Sequence, residues 1–307
     1  MVIVVEMPNI FALRKNRIRN LPFMLAAGVS VLMFAACARA DEPDQQQSLV
    51  VFAATSDTAI GSNRIPLNIQ LIDGSRYDDQ ADDLRVTYSP PDSDEEFAVD
   101  DLTWRPWPIR SGIYTATMTF DRVGLWNIKI SSKSEESLLP ASSGVLVKSA
   151  SESPNIGEPA PLTETKVAAS RGDLPKITSD PNPDIDLYQI SFDEAVASKK
   201  PTVITFSTPA YCQSGTCGPQ TRVLGQLEET HRENGNFIHV EIFDNPDEML
   251  ASGDPSLGVE FPAIHEWNFN TEPWTFIVDS DGIVQGRYEA FVSKEEIEET
   301  LLPLMSN

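Results

Sequence analysis

Thr202-Val203-Ile204-Thr205-Phe206, the loop reaching Cys212-Gln213-Ser214-Gly215-Thr216-Cys217, and Gly218-Pro219-Gln220 form the stretch from which the fold is read. The first five residues are apolar and β-branched, the composition of a buried strand. After the cysteine loop, Pro219–Glu233 carries Val223, Leu224 and Leu227 on one face, which predicts an amphipathic helix. Upstream, Ser191–Lys199 reads as a helix with Ser191 as N-cap and Glu194 completing a capping box. Downstream, Phe237–Phe243 is a second strand. Trp274–Asp279 and Ile283–Tyr288 are two more, joined through the turn residues Ser280-Asp281-Gly282. Lys294–Leu302 closes the chain as a helix. This order, βαβ followed by ββα, predicts an α/β domain over 184–307 with a mixed sheet and helices on its faces.

The preceding hundred residues have a different rhythm. Short apolar or alternating runs occur at Leu49–Ala53, Ile65–Ile72, Leu84–Tyr88, Ile113–Phe120, Leu125–Ile130 and Val145–Val147. Turn formers such as Asp73-Gly74 and Ser89-Pro90-Pro91-Asp92 separate them. No long helical period appears. The pattern predicts an immunoglobulin-like all-β sandwich over 48–149. That region has no His and no Cys, its acidic run Asp92–Glu96 reads as a solvated turn, and Trp104, Trp107 and Trp126 read as core or rim. Residues 150–183, rich in Ser, Pro, Glu and Thr, read as a weakly ordered linker.

At the front, Arg14, Lys15, Arg17 and Arg19 precede the uncharged, largely apolar run Leu21–Ala36. This is the pattern of an export leader, so residues 1–40 are expected to be a signal peptide or lipoprotein leader, with 41–47 as a polar tether. Phe34-Ala35-Ala36-Cys37 resembles a lipobox, which makes Cys37 a candidate lipidation site. Cleavage after Ala38-Arg39-Ala40 is the alternative. The expected location is extracytoplasmic, in the cell envelope. A formal net charge of −23 argues against a nucleic-acid partner and against a basic membrane-binding face, leaving the leader or lipid anchor as the membrane contact. With Cys37 in the leader, two cysteines remain for the folded part, and Cys212 and Cys217 are expected to couple.

The strand–cysteine-loop–helix segment, together with Glu272-Pro273-Trp274-Thr275-Phe276-Ile277-Val278-Asp279 and the following Asp281-Gly282, resembles the thioredoxin superfamily. Its membrane-tethered TlpA-like and AhpC/TSA-like members are the nearest in pattern. The resemblance implies a thioredoxin-like fold, a cis-proline at Pro273 opposite the cysteines, and a place for Glu272 beside them. It also implies thiol–disulfide exchange with an exported thiol- or disulfide-containing protein and a membrane redox donor.

One departure matters. The family motif is Cys-x-x-Cys, and here four residues intervene. Five helical steps rise about 7.5 Å and turn the second side chain roughly 140° away, beyond the Cα separation of about 7 Å that a disulfide tolerates. Pairing therefore requires Cys212 to lie on a loop that folds back, with Ser214 and Gly215 supplying the bend. Pro219 at the first helical position would put Cys217 just outside the positive end of the helix and favour it as nucleophile. The strand-to-cysteine spacing favours Cys212. The reading leans to Cys217. Glu272 would raise a neighbouring thiol's pKa or accept its proton.

No cofactor is expected. The alternatives are a structural disulfide in a redox-inert binding module and a Sco-like copper protein with Cys212, Cys217 and His265 as ligands. A peroxidase lacks its expected signature, because Thr205 stands where that motif has proline.

Overall fold

A computed structural model describes residues 47–107 and 111–306. The leader, its candidate lipidation residue Cys37 and most of the tether lie outside the described residues. The described part belongs to one compact unit.

Strands β1 (Leu49–Ala53), β2 (Thr58–Ala59), β3 (Gly61–Leu71), β4 (Leu84–Ser89), β5 (Phe97–Ala98), β6 (Thr103–Pro106), β7 (Gly112–Phe120), β8 (Gly124–Ser132) and β9 (Ala141–Lys148) build the first half. They form two sheets, β1-β3-β7-β6 and β2-β9-β8-β4-β5, antiparallel except where β2 meets β9. Alternation decides which side chains face inward. In β8, Trp126, Ile128 and Ile130 are buried while Leu125, Asn127 and Lys129 are exposed. Tyr114, Met118 and Phe120 of β7 meet them in a single core. The short strands β2, β5 and β6 escape sequence reading because two to four residues cannot establish a period. Trp126 is core. Trp107 instead packs edge-on to Phe291 of the second half, with ring centroids 5.6 Å apart.

The second half contains α1 (Phe192–Ala197), β10 (Thr202–Ser207), α2 (Cys217–His231), β11 (Asn236–Glu241), α3 (Pro246–Ser252), α4 (Pro262–Trp267), β12 (Trp274–Val278), β13 (Val284–Glu289) and α5 (Lys294–Met305). The sheet order is β11-β10-β12-β13, with β10 and β11 parallel and the remaining pairs antiparallel. Every residue of β10 is buried because helices cover both faces. Ile204 and Phe206 pack with Phe192, Ala263 and Trp267 on one side, and Val203 packs with Leu224, Leu227, Ile297 and Leu301 on the other. The Glu272–Pro273 peptide is cis, so proline enters β12 at the carboxyl end of β10. This strand order with a cis-proline at that place is a thioredoxin-like fold.

Three expectations need correction. The capping box at Ser191 does not form: its hydroxyl donates to Asp193 and accepts the Thr165 amide at 2.9 Å, so it does not cap the helix. The cysteine helix begins at Cys217, two residues before Pro219, with Thr216 as N-cap. Segment 150–183 is packed rather than weakly ordered. Gly157 N donates to Val284 O at 2.8 Å and Ala160 N to Gly282 O at 2.9 Å, which closes the β13 edge. Further along, Ala168, Leu174 and Ile177 enter the core beneath α2. Single apolar residues spaced by prolines and serines create no period, so composition hid an ordered strap.

The two halves share buried polar contacts. Arg287 Nη2 of β13 meets Asp57 Oδ2 at 2.7 Å, and Arg64 Nε of β3 meets Glu296 Oε1 at 2.6 Å.

Candidate functional site

Cys212 and Cys217 are joined in a disulfide with their Cα atoms 5.9 Å apart. A continuous helix could not bring them so close. The loop 208–216 does, and it turns at Gly215, whose φ of 73° lies in the left-handed region open to glycine at no steric cost. Cys217 occupies the first position of α2 and is 0% exposed. Cys212 lies on the loop and is partly exposed. The Cys217 backbone N–H points at Cys212 Sγ, 3.2 Å away, and the Ser214 hydroxyl is also 3.2 Å from that sulfur. After reduction these donors, at the positive end of a helix, would stabilise a thiolate on Cys212. The sequence reading leaned to Cys217, and this geometry instead favours a thiolate on Cys212. The helix starts early enough to bury Cys217 in its first turn and to aim its amide at the other sulfur.

Glu272 lies beside this disulfide, and Pro273 follows it across the cis peptide. Donor atoms of Cys212, Cys217 and Glu272 all lie within 4.8 Å of one another. Burial pushes the Glu272 carboxyl up to about 7, with a smaller push from the charge of Glu241, against a lowering hydrogen bond from Thr208 N at 2.8 Å. A carboxyl in this state can supply or accept a proton near neutrality.

Glu241, at the end of β11, is only 4% exposed. Burial raises its pKa too, although Oε2 accepts the Ser179 amide at 2.7 Å. Its Oε1 is buried with no hydrogen-bond partner among the described residues. Ser179 belongs to the strap, and its hydroxyl also accepts from Ala210 N, at 3.2 Å, in the cysteine loop. Sequence reading missed both residues: Glu241 was hidden within the strand Phe237–Phe243 and Ser179 within a presumed linker. A carboxylate ending the parallel strand beside β10 is the signal that could have found Glu241.

Behind Cys217 runs a buried polar chain. Tyr188 Oη is 2.6 Å from His239 Nδ1, and His239 Nε2 is 2.8 Å from Ser207 Oγ. Ser207 Oγ is 3.0 Å from Thr221 Oγ1, which donates to the Cys217 carbonyl at 3.1 Å. Burial pushes His239 down to about 4, outweighing its hydrogen bond to the Ser207 backbone, so the imidazole is neutral. One assignment satisfies every group: Tyr188 donates to Nδ1, Nε2–H donates to Ser207, and Ser207 donates to Thr221. The chain fixes the first turn of α2.

His265 is not brought to the cysteines. It sits on α4. Its side chain is 72% exposed, and Nε2 lies 3.3 Å from Glu260. The group of three potential ligands found among the described residues contains Glu272 in place of that histidine. No described helix is long and apolar enough to cross a membrane.

No family model matches the chain, and no curated protein matches it. Solved structures that match part of the chain include a chloroplastic thioredoxin z, 16% identical, covering 47% of this chain and 97% of that one, with a TM-score of 0.27. A thioredoxin family thiol:disulfide interchange protein from Chlorobium tepidum is 15% identical over 47% and 97% of the two chains, at a TM-score of 0.31. The Lin-41 filamin domain is 15% identical over 34% and 94%, at 0.23. These likenesses are remote. The thioredoxin-like fold rests on the strand order and the cis-proline described above.

Proposed function

We propose that this chain is an extracytoplasmic thiol–disulfide oxidoreductase, kin to the membrane-tethered TlpA-like proteins, in which Cys212 meets the substrate and Cys217 resolves. One observation carries the reading: a disulfide at the amino end of α2 pairs a partly exposed sulfur, held by the first helical N–H, with one that is 0% exposed.

Starting from the disulfide, a substrate thiolate attacks Cys212 Sγ in line with the S–S bond. That bond breaks, Cys217 leaves as a thiolate and takes up a proton, and the substrate is held as a mixed disulfide on Cys212. A second substrate thiolate then attacks the substrate sulfur and expels Cys212 as a thiolate, which Cys217 N–H and Ser214 stabilise. The substrate dithiol has lost two electrons and the protein has gained them. The reverse sequence reduces a substrate disulfide. The partner proposed is an exported protein with an accessible thiol pair or disulfide, and in the substrate-reducing direction a membrane redox donor regenerates the Cys212–Cys217 dithiol. Envelope location is supported by the leader pattern at 14–40, with Cys37 as the proposed lipid attachment point.

The test is thiol labelling of Cys37→Ser protein equilibrated across a series of glutathione redox buffers. A working site titrates as a two-electron couple within the series. A disulfide that stays closed in the most reducing buffer is a structural staple and overturns the proposal.

A further inference from the structure

We infer that the reduced site is a zinc-binding centre whose ligands are the Cys212 and Cys217 thiolates and the Glu272 carboxylate. The three donor atoms already lie within 4.8 Å of one another. Tetrahedral zinc, with Zn–S near 2.3 Å and Zn–O near 2.1 Å, asks for donors roughly 3.5–3.8 Å apart. Opening the disulfide lets the two sulfurs part to that separation, and the bend at Gly215 provides the movement on the Cys212 side.

Glu272 is set up to ligate. Its Oε2 is anchored by Thr208 N, and among the described residues Oε1 has no hydrogen-bond partner. Charge points the same way. Deprotonating the reduced pair gathers two thiolates beside Glu272, with the buried Glu241 near enough to act on it electrostatically. Neither carboxylate has an ion-pair partner among the described residues. Anionic groups crowded into a half-buried site need a cation, and two sulfurs with one oxygen suit zinc better than calcium or magnesium. A fourth position stays open to water.

On binding, the ion takes the place of two thiol protons, which are released to solvent. No electrons move. The metal-bound dithiol cannot attack a disulfide, so the ion acts as a reversible cap on the reduced state. This inference rests on the proposed function only in requiring the disulfide to open. Exhaustive reduction with a phosphine achieves that even if glutathione does not, so the two readings can fail separately.

The test titrates zinc chloride and, as an ultraviolet-visible reporter, cadmium chloride into phosphine-reduced Cys37→Ser protein. The expected result is one ion per chain, a thiolate-to-cadmium charge-transfer band, protection of both thiols from alkylation, and no binding to the oxidised protein. Glu272→Gln, which keeps an acceptor for Thr208 N, should bind at least 10-fold more weakly. His265→Ala should bind like the parent. No stoichiometric binding by the reduced protein, or equal affinity in Glu272→Gln, would overturn the three-ligand centre. So would loss of binding in His265→Ala.

Discussion

Replacing Asp57 with alanine should destabilise the protein by about 3–5 kcal/mol at pH 7, because it leaves a buried guanidinium without its counter-ion. Asp57 and Arg287 have side-chain exposures of 7% and 10% and meet at 2.7 Å. The Asp57 carboxylate also accepts from Ser151 Oγ at 2.5 Å, Glu152 N at 3.0 Å and Ser153 Oγ at 2.8 Å. Arg287 in turn lies over the Trp274 ring, 5.0 Å from its centroid, and Trp274 follows the cis-proline. The pair thus ties the β2 end of the sandwich to the strand that carries the site. Burial alone would raise the Asp57 pKa. The hydrogen bonds from Glu152, Ser151 and Ser153 outweigh it and hold the carboxyl well below the usual carboxylate range. For a carboxylate depressed in the folded state, the stabilisation is fully present above the unfolded pKa near 3.8 and is lost as pH falls. At pH 3 roughly 1 kcal/mol of it should be gone, since the unfolded chain is already largely protonated there. Urea denaturation of the parent and Asp57→Ala proteins at pH 7 and pH 3 reads both quantities. A loss below about 1 kcal/mol at pH 7, or a difference that grows on acidification, would refute the reasoning.

His239 supplies an independent acid response. Its folded pKa is pushed down to about 4 from 6.5, so the unfolded state binds the extra proton between those values. Stability should therefore fall as pH drops from about 6.5 to 4, by about 3 kcal/mol at most. In His239→Gln that slope should vanish from denaturation curves, and its persistence would assign the response elsewhere. Gly215→Ala forces a side chain into left-handed backbone and should cost about 1–2 kcal/mol in the oxidised protein. Its melting temperature should fall more in the disulfide form than after reduction, and equal shifts would show that the bend does not serve the bond.

The elements legible in the sequence were those with a period or a breaker. The alternation through Tyr114, Met118 and Phe120 and the apolar run Val203–Phe206 each gave a strand close to its observed bounds. The Cys-x4-Cys spacing gave the loop, because helical geometry forbids the bond otherwise. The start of the cysteine helix was misplaced on a local detail. Proline was assigned the first helical position, yet the helix begins at Cys217 and places Pro219 third. The strap 150–183 stayed illegible because its order comes from contacts with β13 and α2 that no local pattern encodes. His265 looked free in sequence for the converse reason: nothing local reveals that α4 carries it away from the cysteines. Glu241 and Ser179 reach the site only through the sheet's parallel pairing and the strap's return, which are tertiary facts.

The division of labour between the two sulfurs is tested most directly by trapping. Cys37→Ser protein carrying either Cys217→Ser or Cys212→Ser is incubated with oxidised glutathione, and the intact mass is followed with time. The Cys217→Ser protein, with its remaining thiol exposed and held by a helix N–H, should gain one glutathione at least 10-fold faster than the Cys212→Ser protein. Equal rates, or faster capture by Cys217, would contradict the account.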